Sequence, residues 1–197
     1  MSSGAAAAPA PPPPMTGAPL ALVTAVLGFG SFMNILDMSI ANVSVPTIAG
    51  DLGVSYSQGT WVITSYAVSE AIMMPLTGWL ALRFGQVRMF VAATLLFTLA
   101  SLLCGLAPNF PLLVGARVLQ GVFGAAMLPL SQALMVSIYP PQKRGMALGL
   151  WIMTTILAPI VGPLVGGWLT ETFSWRWIFL INLPFGIVVA MLSWQLL

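Results

Sequence analysis

From Leu20 onward, apolar stretches of membrane-spanning length recur, broken by short segments that hold charges, Gly, Asn or Pro. A helix rises about 1.5 Å per residue and needs about 20 largely apolar residues to cross a bilayer core about 30 Å thick. On that measure the pattern predicts helices at 18–45, 59–81, 88–107, 110–137, 146–169 and 178–197, joined by very short connections. Strands of a membrane barrel would alternate apolar and polar positions over about ten residues. The run from Phe90 to Leu103 shows no such alternation, so the expected fold is an all-α membrane protein with six transmembrane helices. Residues 1–17 hold four consecutive Ala, five Pro between Pro9 and Pro14, no charge and few large apolar groups, and read as a disordered tail ahead of a six-helix domain at 18–197. No Lys or Arg precedes the first apolar run, and that run is too long for the core of a secretory signal.

Composition agrees with the pattern. Of 197 residues, 59% are apolar and 5% charged, whereas a soluble domain carries roughly 25% charged residues. With a mean hydropathy of +1.00, a single soluble domain is ruled out. The chain has no His and one Cys, Cys104, which excludes His or Cys metal ligation, a Cys–His nucleophile and an internal disulfide. Cys104 reads as a small apolar filler. The formal charge of +2 is spread over connections instead of forming a basic tract, so nucleic-acid binding is rejected. Enzymatic activity ranks last among the function classes, because nothing here calls for covalent catalysis.

The charges also orient the chain. Connections after the second and fourth helices hold Arg83, Arg88, Lys143 and Arg144 without an acid, whereas those after the first and fifth hold Asp51, Glu171 and Arg176. The positive-inside rule places the first set, and with it the amino terminus, in the cytoplasm. Trp61, Trp79, Trp168, Trp175 and Trp177 fall near predicted helix ends, as interfacial anchors do.

Seven of the ten charges lie in connections, which leaves Asp37, Glu70 and Arg117 inside predicted helices, where a charge costs enough to call for a partner or a function. At about 1.5 Å per residue from the outer helix ends, Asp37 lies about 12 Å deep and Arg117 about 10 Å deep, close enough in depth to pair. Gly30, Asn34, Asp37, Ala41 and Ser44 share one face of the first helix, and Arg117, Gln120, Gly121, Gly124 and Ser131 form a similar stripe on the fourth. These two faces either line a watered path or hold a structural ion pair. Glu70 shares its face with Tyr66, Met73, Met74 and Thr77, and is a candidate for substrate or proton contact. On the fifth helix, Gly162 and Gly166 lie one turn apart and allow close helix approach, while Pro159 and Pro163 predict a kink that would act as a hinge or gate.

Five segments, in order, resemble motifs of the major facilitator superfamily, in particular the EmrB and QacA type of multidrug:proton antiporter with fourteen spanning helices. Leu36 to Pro46 (LDMSIANVSVP) is similar to that family's first-helix motif, and Gly78 to Arg88 (GWLALRFGQVR) to the loop motif between helices two and three. Leu112 to Ala126, with Arg117, Gln120, Gly121 and Gly124, resembles the fourth-helix motif associated with proton coupling. Gly162, Pro163, Gly166 and Gly167 match the fifth-helix antiporter motif, and Trp175 to Pro184 (WRWIFLINLP) resembles the entry to helix six. Tyr139 to Arg144 leans toward the EmrB-like branch. Gly78, Arg83, Gly85 and Arg88 fit the loop motif, but Leu82 stands where the family commonly has an acid and Val87 where it has a base, so a charge-based latch does not carry over intact.

The resemblance implies half of a major facilitator fold, two inverted three-helix units, in the cytoplasmic (inner) membrane. It implies proton-coupled export of hydrophobic drugs or related small molecules, with Asp37 and Arg117 in proton coupling and Asn34, Glu70, Gln120 and Gly124 on a substrate or proton path. The proton gradient is the energy source and no cofactor is expected. Expected partners are small hydrophobic substrates, the bilayer, a carboxy-terminal half or a second copy, and, for EmrB-like exporters, a periplasmic adaptor with an outer-membrane channel. The competing expectations are an inactive truncated fragment, a small transporter made of two copies, and a non-transporting structural subunit or ion-conducting pore in which the ion pair is static.

Overall fold

The computed structural model describes residues 17–197, so the expected tail lies almost wholly outside the described residues. The described chain is helical throughout: α1 Ala18–Asp51, α2 Tyr56–Gly59, α3 Trp61–Met73, α4 Leu76–Phe84, α5 Gln86–Gly105, α6 Phe110–Gly124, α7 Met127–Ile138, α8 Arg144–Thr172, α9 Trp177–Leu180 and α10 Asn182–Leu196. Five stretches, 18–51, 86–105, 110–138, 141–172 and 177–196, are each long and apolar enough to cross a membrane. The pair α3–α4 completes the sixth crossing in two pieces. The described residues thus form the six-span, all-helical bundle of a multi-pass membrane protein.

Three spans depart from the uninterrupted helices that hydropathy predicts, and each break lies at a proline or within the turn before one. Span two breaks at Met74–Pro75, span four at Ala125–Ala126, four residues before Pro129, and span six at Ile181, three residues before Pro184. Proline has no N–H to return to the carbonyl four residues earlier and crowds that carbonyl. Other prolines are absorbed. The prediction that the first helix ends at 45 is corrected, because α1 runs on to Asp51 with Pro46 inside it. Pro159 and Pro163 sit inside an unbroken α8. The loop expected between 81 and 88 shrinks to Gly85, whose φ of 88° gives the left-handed turn that ends α4 and starts α5.

The spans pair in a pattern that reveals the internal symmetry. Span one (α1) packs on span five (α8), span two (α3) on span four (α6), and span three (α5) on span six (α10). A two-fold exchanging spans one, two and three with four, five and six turns the first pairing into the second and the third into itself. Three spans per unit also reverse direction between units, as an inverted repeat requires. Two apolar clusters fill the bundle, one around Leu27, Phe90, Phe97 and Met127 and the other around Ile40, Leu113, Trp175 and Phe179. Along α1, Met33 belongs to the first and Leu36 and Ile40 to the second, so the clusters meet about one turn before Asp37, beside Asn34.

Close approach of α1 and α8 rests on Gly162 and Gly166. A Cβ at Gly166 would meet the Ile40 backbone at 3.2 Å, and one at Gly162 would collide with the Ser39 side chain. Pro163 is exposed and Gly167 faces open space, so this motif splits into a packed face and an unpartnered one.

Candidate functional site

Near the meeting of the two clusters, side chains from four spans form one polar network around the Asp37 carboxylate, three of the spans carrying it or bonding it directly. Asp37, 1% exposed, and Arg117, fully buried, form an ion pair across α1 and α6, Nη1 to Oδ2 at 2.5 Å. Their depths on helices of opposite direction bring them level, as the rise per residue requires. Two sheltered charges in so dry a place need every lone pair matched. Gln120, one turn along α6, donates from Nε2 to Asp37 Oδ1 at 3.0 Å and accepts Arg117 Nη1 on Oε1 at 2.7 Å. Asn182 Nδ2, at the start of α10, donates to Asp37 Oδ1 at 2.7 Å and to Ser101 Oγ at 2.9 Å. Ser101 on α5 accepts from Gln120 Nε2 at 3.1 Å and donates its own proton to the Phe179 carbonyl at 2.9 Å. Phe179 lies in α9, just before the break that separates it from α10.

Arg117 is held on its other sides by neutral groups. Its Nε donates to the Val62 carbonyl at 3.0 Å, and its guanidinium lies 4.3 Å from the Tyr66 ring centroid and 5.5 Å from that of Phe179. Its Nη2 has no hydrogen-bond partner among the described residues. The aromatic faces add cation–π attraction to the guanidinium, and the unpartnered Nη2 is a donor free for another acceptor. Cys104 is more than filler, since its thiol donates to Gln120 Oε1 at 3.4 Å.

A second polar group sits toward the end of the bundle that carries Arg83 and Lys143. Asn34 Nδ2 donates to Tyr66 Oη at 2.9 Å and to the Gly124 carbonyl at 3.4 Å, and Tyr66 Oη donates to Glu70 Oε1 at 3.4 Å. Glu70 is half-buried, whereas Tyr66 is fully enclosed. Gly124 has no side chain because a Cβ there would press on Asn34 Nδ2 at 2.8 Å and Tyr66 Oη at 2.9 Å. No hydrogen bond among the described residues joins this group to Asp37. The Arg117 guanidinium, over the Tyr66 ring, brings the two groups into contact. Of the path expected from sequence, Gln120 therefore belongs with the ion pair, and Asn34, Glu70 and Gly124 form a separate cluster.

The loop-motif residues are remote from both. Arg83 lies over Trp79 and Phe84, 5.6 and 5.7 Å from their ring centroids. Gly78, Gly85 and Arg88 are exposed, and neither arginine takes part in a salt bridge among the described residues. At the opposite end, Asp51 accepts from Trp175 Nε1 at 2.7 Å and pairs with Arg176 at 3.3 Å, tying α1 to the α8–α9 connection.

Sequence reasoning missed Ser101 and the role of Asn182. An Asn inside an otherwise apolar span is a signal by the same cost argument that singled out the charges. Ser101 gave no such signal, because serine returns its hydroxyl to its own helix cheaply and is common in spans.

Comparison with known proteins agrees with this architecture. The family model described as Major Facilitator Superfamily matches residues 27–197. The Multidrug export protein EmrB of Haemophilus influenzae is 53% identical over 184 residues, 93% of this chain and 36% of that protein. The Fatty acid resistance protein FarB of Neisseria gonorrhoeae is 52% identical over 182 residues, 92% of this chain and 36% of that protein. Among solved structures, the proton:xylose symporter XylE superposes with a TM-score of 0.78 at 17% identity, over 89% of this chain and 44% of XylE. The chain thus spans about a third of the length of the curated relatives it matches.

Proposed function

The chain belongs to the Major Facilitator Superfamily, and on that premise we propose that it supplies the first six spans of a proton-coupled exporter of small hydrophobic molecules. The protein lies in the cytoplasmic membrane with its amino terminus in the cytoplasm. The observation that carries this reading is the buried Asp37–Arg117 pair with an idle guanidinium donor beside it. When Asp37 takes up a proton, Arg117 loses its counter-charge in a site where an unpaired charge costs about 3–5 kcal/mol. A conformation that gives Arg117 a new partner or water is then favoured, and the proton drives the cycle because the two conformations bind it unequally. The glycine face of α8 on α1 lets the two three-helix units slide as this happens. Glu70, half-buried and hydrogen-bonded to Tyr66 Oη, lies where a substrate can reach it, next to the flexible Met73 and Met74.

The test uses the full-length protein in proteoliposomes, with Asp37→Asn as the variant and the folded, inserted fraction measured alongside. The variant is expected to lose substrate-dependent proton movement while remaining inserted. Normal coupled efflux in Asp37→Asn would make the pair a static brace and overturn the reading.

A further inference from the structure

The two oxygens of Asp37 are not equivalent. Oδ1 accepts Asn182 Nδ2 at 2.7 Å and Gln120 Nε2 at 3.0 Å, so both of its in-plane lone pairs face N–H groups that cannot accept a proton in return. Oδ2 accepts one bond, from Arg117 Nη1. The two amides are locked in this orientation. Ser101 gives its only proton to the Phe179 carbonyl, so its oxygen must accept from both amides. Gln120 Oε1 is held in turn by Arg117 Nη1 and the Cys104 thiol. Turning Gln120 would set its NH2 against the Arg117 Nη1 donor, and turning Asn182 would set its oxygen against the Ser101 oxygen, whose proton is already given to Phe179.

We propose that Asn182, together with Gln120, is a positioning residue that directs a proton arriving at Asp37 onto Oδ2, the oxygen that holds Arg117. The inference rests on the reading that Asp37 is the group that takes up the proton. The new O–H bond forms on Oδ2, the Nη1–H···Oδ2 bond is lost, and the carboxyl carbonyl becomes Oδ1, still held by two amides. Arg117 keeps Gln120 Oε1 and the Val62 carbonyl. Protonation and release of Arg117 are thereby one event. Without the clamp, a proton could settle on Oδ1 while Arg117 stayed on Oδ2, and the ion pair would no longer report the proton. The other titratable groups around Asp37 are Tyr66 and Glu70 from α3 and Cys104 from α5, besides Arg117 from α6. Span six carries none, and those of α8 lie at its ends.

Infrared difference spectra of the full-length protein in lipid vesicles, between neutral and acidic pH, test this directly. The carboxyl C=O band of Asp37 is the one lost in Asp37→Asn. In Asn182→Ala that band is expected to move to higher wavenumber, because the Oδ1 carbonyl loses one of its two hydrogen bonds. Gln120→Leu removes the other bond and is expected to move the band in the same direction, so either folded variant suffices. A band that stays in place in the folded variants identifies Oδ2 as the carbonyl and overturns the directed protonation alone. Absence of any Asp37 band overturns the proton-coupling role of Asp37 and this inference with it.

Discussion

Removing either member of the buried pair should have unequal consequences. In Asp37→Asn the new amide can still accept on one atom from Asn182 and Gln120, but its other atom is an N–H donor facing Arg117 Nη1, where 2.5 Å now separates the ion-paired atoms. Arg117 cannot shed its charge, being fully buried and always protonated. The cost is that of an unpaired buried charge, about 3–5 kcal/mol. At roughly 2–4 °C per kcal/mol for a chain of this size, the melting temperature in detergent should fall by roughly 6–20 °C. Arg117→Met instead leaves a carboxylate that can neutralise itself by taking up a proton, and the thioether fits against Tyr66 and Phe179, so its loss should be less than half as large. The double variant should recover most of the Asp37→Asn loss. The chain supplies its own probe, since Cys104 is the only cysteine, fully buried beside Gln120, and a thiol-reactive dye reads its exposure as the site opens. Equal losses in the two single variants, or no recovery in the double, would refute the reasoning that Arg117 is the costlier orphan.

Other sites give sharper contrasts. Gly166→Val forces side-chain atoms into the Ile40 backbone, met at 3.2 Å by a Cβ alone, and should lower the melting temperature by several degrees, whereas Gly167→Ala, with nothing within 4 Å, should change it by less than about 1 °C. Asp51→Asn removes a pair whose side chains are 36% and 51% exposed, so its cost should stay below about 1 kcal/mol, checked by the same thermal assay. Glu70→Gln should leave stability nearly unchanged but cut export of lipophilic cations relative to neutral substrates by roughly tenfold, the equivalent of about 1.4 kcal/mol; equal export of both classes would remove Glu70 from the substrate path.

The membrane class, the six spans and the level placement of Asp37 and Arg117 were legible because they depend on one-dimensional quantities: apolar run length, charge scarcity and rise per residue. Helix interruptions were not. Pro46 and Pro163 are absorbed while Pro75, Pro129 and Pro184 accompany breaks, and the difference lies in which neighbouring helices and side chains satisfy the freed carbonyl, which is a tertiary property. For the same reason the stripe on α1 did not reveal that Asn34 and Asp37, one turn apart, serve separate clusters. Asn34 turns to Tyr66 and Gly124, and Asp37 to Gln120 and Asn182, so the partners on α3, α6 and α10 make the division. Ser101 could be placed only once α5 and α10 were seen to pack together.

The most direct test of the account is proton movement during transport. In proteoliposomes loaded with a pH-sensitive dye and holding the full-length protein, addition of a hydrophobic cation against an imposed pH gradient should release protons across the membrane. That signal should vanish in Asp37→Asn at equal inserted protein. Substrate movement with no accompanying proton flux in the wild-type protein would contradict proton coupling through the Asp37–Arg117 pair.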